Sequence, residues 1–77
     1  EISKNEWQAK GSIEIDELNA KTGISIKESD YINLDNFLLS ALGRAPKPGD
    51  EIKYFNYEIL IEEVQGKKVL MAKIQKL

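Results

Sequence analysis

The 77-residue chain carries 13 acidic and 11 basic side chains, no histidine and no cysteine, with a formal net charge of −2, 42% hydrophobic and 31% charged residues. A chain of this length builds one domain, because a second core could not bury enough of its own surface, and the composition belongs to the globular class. The charges are interspersed, so no basic stripe is available to neutralise a phosphate backbone and nucleic acid is not an expected partner. Disulfides and thiolate metal sites are excluded. No apolar run approaches the ~20 residues of a bilayer span, and there is no signal-peptide pattern, so the segment is expected to be soluble, with no membrane insertion of its own. It opens on Glu1 without a methionine, which points to processing or to excision from a longer chain that could itself be a membrane protein.

Residues 6–10 alternate, with Trp7 and Ala9 on one side and Gln8 and Lys10 on the other, which predicts a half-buried strand. Gly11 ends it. Ser12 offers an entry to a helix running through Asp16, Glu17, Leu18, Asn19 and Ala20, its early acids suiting the helix N-terminus and Gly23 its left-handed cap. Ile15 and Leu18 lie three apart and face the core. Ile24 and Ile26 alternate over too few residues to separate a brief strand from an extended connection into Asp30 and Tyr31. A second helix is the clearest element, because Leu34, Phe37, Leu38, Ala41 and Leu42 follow the i, i+3, i+4, i+7, i+8 spacing of one face. Asn33 caps its start and Gly43 its end.

Pro46 then prevents the helix from resuming, and Pro48-Gly49 fits the centre of a type II turn over residues 47–50. Ile52 and Tyr54 mark a strand. A longer one runs from Tyr57 to Val64, where the phase breaks at Glu62 and Glu63 as a β-bulge would break it. Gln65 and Gly66 suit a tight hairpin loop before a return through Val69 to Ile74. Glu58, Glu62 and Glu63 read as a solvated face matched by Lys67, Lys68 and Lys73 across that hairpin. The fold class is α+β, an antiparallel sheet with a C-terminal three-strand meander, covered by two helices.

Without histidine or cysteine, imidazole proton transfer, thiol nucleophiles and ordinary zinc sites are all absent. Ser12, Ser25, Ser29 and Ser40 have no histidine partner; a serine–lysine pair with Lys10 or Lys27 remains formally open, but turn-like surroundings favour caps and loop hydroxyls. There is no glycine-rich phosphate loop and no dinucleotide fingerprint, so no cofactor is expected. Glu28, Asp30 and Asp35 are weak candidates for a divalent-cation group, lacking the glycine and terminal glutamate of a calcium loop. Trp7 is a potential recognition aromatic, although a lone tryptophan in an alternating strand more often packs at the core or its rim.

Three stretches taken together, Ile15-Asp16-Glu17-Leu18-Asn19, Asp30-Tyr31 leading into Phe37-Leu38-Leu39, and Leu42-Gly43-Arg44-Ala45-Pro46 followed by Pro48-Gly49-Asp50-Glu51, resemble in order and spacing the CorC/HlyC transporter-associated domain. The resemblance covers nearly the whole chain, including the closing hairpin over Tyr57 to Ile74. It implies one domain over residues 1–77 at the C-terminus of a hemolysin-like membrane protein, following a transmembrane region and a pair of CBS domains on the cytoplasmic side. Such proteins are associated with magnesium and cobalt efflux, and the domain is thought to modulate ion transport. No catalytic residues come with the family. Its fold also resembles part of a flavin-binding dehydrogenase domain, which does not establish flavin binding. Asn33 and Asn36 stand where the family usually has threonine and glycine; asparagine can replace the capping threonine, while Asn36 fills space at the helix start.

The expected function is therefore a non-enzymatic regulatory domain acting through contacts with the rest of its chain or a second copy, with Arg44 beside the turn as the candidate contact. Replacing Arg44 is expected to be nearly neutral for stability. Two other classes stay open: a small-ligand, nucleotide or divalent-metal sensor, and a structural dimerisation domain using a sheet edge.

Overall fold

The computed structural model describes residues 4–27 and 29–77. Six elements follow one another: β1 (Glu6–Lys10), α1 (Ile15–Thr22), α2 (Leu34–Leu42), β2 (Glu51–Tyr54), β3 (Tyr57–Gln65) and β4 (Lys68–Lys76). The strands form one antiparallel sheet in the order β1-β4-β3-β2, so the N-terminal strand closes the meander and β1 and β2 are its edges. Period-two alternation sends Ala9, Ile59, Ile61, Ala72 and Ile74 to one face, where they are buried against Leu18 of α1 and Leu34 and Leu38 of α2. The other face is a row of charged and amide side chains, with Leu60 and Met71 half-buried among them.

α1 begins later than the expected entry at Ser12. Its N-terminal flank is Glu14, which makes no side-chain cap bond. Residues before it are already committed elsewhere: Gly11 N–H donates to Leu70 O (3.0 Å), Gly11 O accepts from Asp35 N–H (2.8 Å), and Ile13 O accepts from Leu34 N–H (3.0 Å). A backbone tied to β4 and to the start of α2 cannot also enter a helix. Gly23 ends α1 at φ 80°, and Gly43 ends α2 at φ 68°, both as expected of left-handed caps. Asn33 Oδ1 accepts from Asn36 N–H at 2.9 Å, which makes it the cap of α2.

The apolar stripe of α2 is rotated relative to the expected one, because Asp35 is buried on it while Ala41 is exposed and Leu42 only half-buried. The meander holds its predicted bulge: Glu62 is an extra residue on β3, and a second irregularity at Leu70 on β4 compensates it, restoring the register at Val64↔Val69. Gln65 pairs with Lys68, so the hairpin loop is Gly66-Lys67 and not Gln65-Gly66. Glycine at φ 61° takes the first loop position, where the tight turn needs a positive φ. The expected Glu–Lys matching across this hairpin is replaced by contacts with β1. Register sets Lys73 opposite Leu60 and Gln8, so its ammonium reaches Glu6 (3.6 Å), and Glu62 accepts from the Gln8 amide (2.8 Å).

Candidate functional site

Of the residues singled out in sequence, most are engaged in holding the loops that join the helices to the sheet. Leu18 is fully buried. Asn19 clamps the unassigned connection, its amide donating to Ile26 O (2.8 Å) and its carbonyl accepting from Ile26 N–H (3.2 Å). That pair mimics a strand bond and holds the connection in place, with Ile24 and Ile26 buried without joining the sheet. Thr22 extends the clamp: Oγ1 donates to Leu18 O and accepts from Ile24 N–H, while its carbonyl accepts from Tyr57 Oη at 2.8 Å. Asp16 accepts from Glu17 N–H at 2.8 Å, and Glu17 meets Lys21 at 3.7 Å on the exposed side of α1.

Asp30 and Asp35, the weak cation candidates, have unrelated surroundings. Asp35 is 5% exposed and its Oδ1 accepts from Val69 N–H at 2.7 Å, which spends the carboxylate on joining α2 to β4. Asp30 is exposed at a groove of about 420 Å³ that also takes in Glu14, Asp16, Tyr31 and Ile32. Glu28 lies outside the described residues. Among the described residues no three acids gather closely enough to hold a metal ion. Tyr31 packs edge-on against Phe37 (centroids 5.2 Å), Phe37 against Tyr54 (5.2 Å) and Tyr54 against Phe55 (4.8 Å), a row of T-shaped contacts ending at an exposed ring.

The turn after α2 carries a forked arginine–carboxylate pair on the surface. Gly49 has φ 94° and Asp50 N–H donates to Lys47 O (3.1 Å), the geometry expected of the type II turn. Arg44 reaches across it with a forked pair of bonds to Asp50, Nη1 to Oδ2 at 3.0 Å and Nη2 to Oδ1 at 2.8 Å, and Nη1 also donates to Ala45 O. Lys47 N–H donates to Asp50 Oδ2 at 2.8 Å. The Arg44 bond and then the Lys47 amide hold the Asp50 carboxyl below its ordinary value of 3.8, and the same bond raises the Arg44 guanidinium. Pro46, between Arg44 and Asp50 in the chain, is buried. Arg44 is thus a structural partner of Asp50 as well as an exposed cation, a role that spacing six residues apart across a turn did not reveal.

Trp7 is half-buried at the rim of the core, where it lines a groove of about 660 Å³ between β1 and α1 together with Ala9, Ile13, Leu18 and Thr22. Ser12, Ser25, Ser29 and Ser40 are all exposed. The arrangement defines a small α+β module in which Asn19, Thr22, Asn33, Asp35 and Asp50 hold its own loops.

Comparison with known proteins places this module in a family. The model of the CorC/HlyC family, the transporter-associated domain, matches residues 1–77, and the chain belongs to that family. Among solved structures, a hemolysin domain from Enterococcus faecalis V583 is 26% identical, with a TM-score of 0.87 over 99% of this chain and 93% of that one. A region from Neisseria meningitidis MC58 described as associated with a Mg2+ and Co2+ transporter, CorC, shares the fold at a TM-score of 0.89 and 13% identity, covering 100% and 95% of the two chains. The CorC/HlyC domain of a Xylella fastidiosa Temecula1 hemolysin, solved in complex with Mg++ and Mn++, shares it at 0.83 and 23% identity over 97% and 91%. No curated protein matches the sequence. No helix among the described residues is long and apolar enough to cross a membrane.

Proposed function

We propose that residues 1–77 form one non-catalytic regulatory domain at the C-terminal end of a larger CorC/HlyC-type membrane protein, where it modulates magnesium or cobalt transport through intramolecular or dimer contacts. The observation that carries this reading is the family match over the whole chain. The transmembrane region and CBS domains of the parent are its partners, on the cytoplasmic side. Geometry supports a contact role: Asp35, Asn19 and Asp50 are used internally, while Arg44 keeps its outer surface beside a turn stiffened by Pro46, Pro48 and its own clasp.

A second reading, direct sensing of a divalent cation, is favoured by one observation, the Mg++ and Mn++ complex of the Xylella relative. In this chain Asp30, exposed at the groove that also takes in Glu14 and Asp16, is the carboxylate such an ion would meet, although these acids are not gathered into a cluster. Calorimetry of the chain with magnesium, manganese, cobalt, calcium, ATP and FAD separates the two. The regulatory-contact reading expects no binding tighter than about millimolar, equivalent to roughly 4 kcal/mol. A saturable micromolar isotherm, abolished by Asp30→Asn, would replace it with sensing.

A further inference from the structure

Among the described residues two other than glycine have positive φ, Asn5 at 67° and Phe55 at 55°, and both lie at one end of the sheet. Tyr54 pairs with Tyr57, so Phe55 and Asn56 form the whole loop between β2 and β3. Asn5 O accepts from Lys76 N–H and Asn56 O from Leu77 N–H, which brings the start of β1, the end of β4 and this loop side by side. Asparagine tolerates the left-handed region and a bulky aromatic resists it. Yet Phe55 takes the positive φ, with Asn56 next to it outside that region. The fold does not bury the ring, which is 87% exposed and meets Tyr54 edge-on. A strained backbone that holds an apolar side chain out in water points to a contact outside the chain.

The surroundings of the ring show what kind of contact fits. Leu77, 65% exposed, lies against Asn56. Lys4 and Lys76 are exposed at the same end and form no ion pair among the described residues. The acids nearest in the sheet stand one pair further in, on either side of Gln75: Glu6 is held by Lys73, and Glu58 is opposite Lys53. The outermost charges on these strand ends are therefore both positive. A groove of about 380 Å³ beside Phe55, shared with Gly23, Ser25, Asn56 and Tyr57, is lined by no charged side chain. Ile32, 78% exposed, has the opposite setting, a groove shared with Glu14, Asp16 and Asp30. A projecting apolar tip flanked by cations matches a surface that is negative outside and hydrocarbon beneath.

We propose that this end of the sheet docks on an anionic lipid surface, Phe55 entering the headgroup layer with Leu77 beside it while Lys4 and Lys76 meet lipid phosphates. This rests on the regulatory reading for its use in transport, and deepens it by making the bilayer one of the surfaces the domain contacts. One inserted ring and two cations give a weak, reversible attachment. Such an attachment suits a domain that the rest of its parent already holds near the membrane, where effective concentration replaces intrinsic affinity.

Co-sedimentation of the 77-residue chain with vesicles tests it, using mixed phosphatidylglycerol and phosphatidylcholine against phosphatidylcholine alone. The wild type is expected to bind the anionic vesicles at millimolar lipid, more weakly as salt is added, and the neutral ones about tenfold less or worse. Phe55→Gly relieves the positive φ, so the chain stays folded by circular dichroism, and is expected to weaken binding about fivefold or more. Lys4→Gln combined with Lys76→Gln is expected to weaken it about thirtyfold, at about fivefold for each lysine. Ile32→Ser, at an equally exposed apolar position among acids, is expected to change nothing. A wild type that stays in solution with the anionic vesicles overturns the docking, as does a Phe55→Gly variant that binds as well as the wild type. Equal binding to neutral vesicles overturns the assignment to anionic lipid. Self-association that Phe55→Gly abolishes, without vesicle binding, gives the tip to a second copy instead. Unaltered transport by a parent carrying Phe55→Gly, with vesicle binding by the isolated wild-type chain intact, keeps the docking and removes only its regulatory use.

Discussion

Gly11 is the position where three segments meet most closely, and Gly11→Ala is the sharpest test of how the domain is held together. Its φ is not positive, so an added methyl adds no backbone strain. The whole effect comes from close approach. A Cβ there would sit on the carbonyl oxygen of Val69, 2.9 Å from that carbonyl carbon and 3.4 Å from Asp35 Cβ. β4 has to move, and with it the bonds Gly11 N–H to Leu70 O, Asp35 N–H to Gly11 O and Val69 N–H to Asp35 Oδ1. Overpacking costs about 1–3 kcal/mol, and leaving the buried Asp35 partner unsatisfied costs about 1–3 kcal/mol. A combined loss of about 3 kcal/mol is a large share of the stability of so small a domain, and lowers the melting temperature by roughly 12–24 °C. Thermal unfolding followed by circular dichroism reads this directly, with Asp35→Ala as the companion that removes only the second contribution. Gly43→Ala is the control: nothing lies within 4 Å of its Cβ, and only its φ of 68° resists the change, at about 1 kcal/mol. If Gly11→Ala melts within about 4 °C of the wild type, the close packing of β1, α2 and β4 at this corner is wrong.

The remaining expectations concern the turns and the clasp. Gly49→Val forces a β-branched residue to φ 94° and is expected to cost about 1–3 kcal/mol by the same melting assay. Phe55 holds φ 55° in a two-residue loop while 87% exposed, so Phe55→Gly is expected to stabilise by about 0.5–1 kcal/mol after the edge contact with Tyr54 is lost. Unchanged or lower stability would mean that the ring contributes more than its exposure indicates. Asp50 has a depressed pKa in the folded state, so its contribution to stability is fully present above the unfolded value near 3.8 and is lost as pH falls through the folded value. Arg44→Ala is therefore expected to destabilise at neutral pH, and the gap between variant and wild type to shrink below about pH 4.

Much of this architecture could be read from the residues. The i, i+3, i+4 stripe gave α2 its existence and both its caps, and the alternation from Tyr57 onward gave β3 together with the phase slip at Glu62. What escaped was what depends on tertiary approach. Asp35 lies on the edge of the α2 stripe, three residues before Leu38, and that position is the only sequence signal that it turns inward; its partner, the Val69 amide, is 34 residues away. Gly11 carries no mark that separates a strand-ending glycine from one crowded by a carbonyl. Ser12 offered a good cap, but backbone bonds to α2 and β4 outcompeted local propensity. Lys73 pairs with Glu6 because β1 joins β4 on the side away from β3, a consequence of sheet order that local charge patterning does not encode.

Regulation of transport by contact is the role proposed for this domain. Efflux of magnesium and cobalt from cells expressing the parent protein, with and without residues 1–77, tests that claim most directly. The account expects transport to persist in the truncated parent with an altered rate or cation dependence, and Arg44→Ala to reproduce part of that change while the isolated chain stays folded. Identical efflux in the presence and absence of the domain, at equal amounts of parent in the membrane, would contradict it.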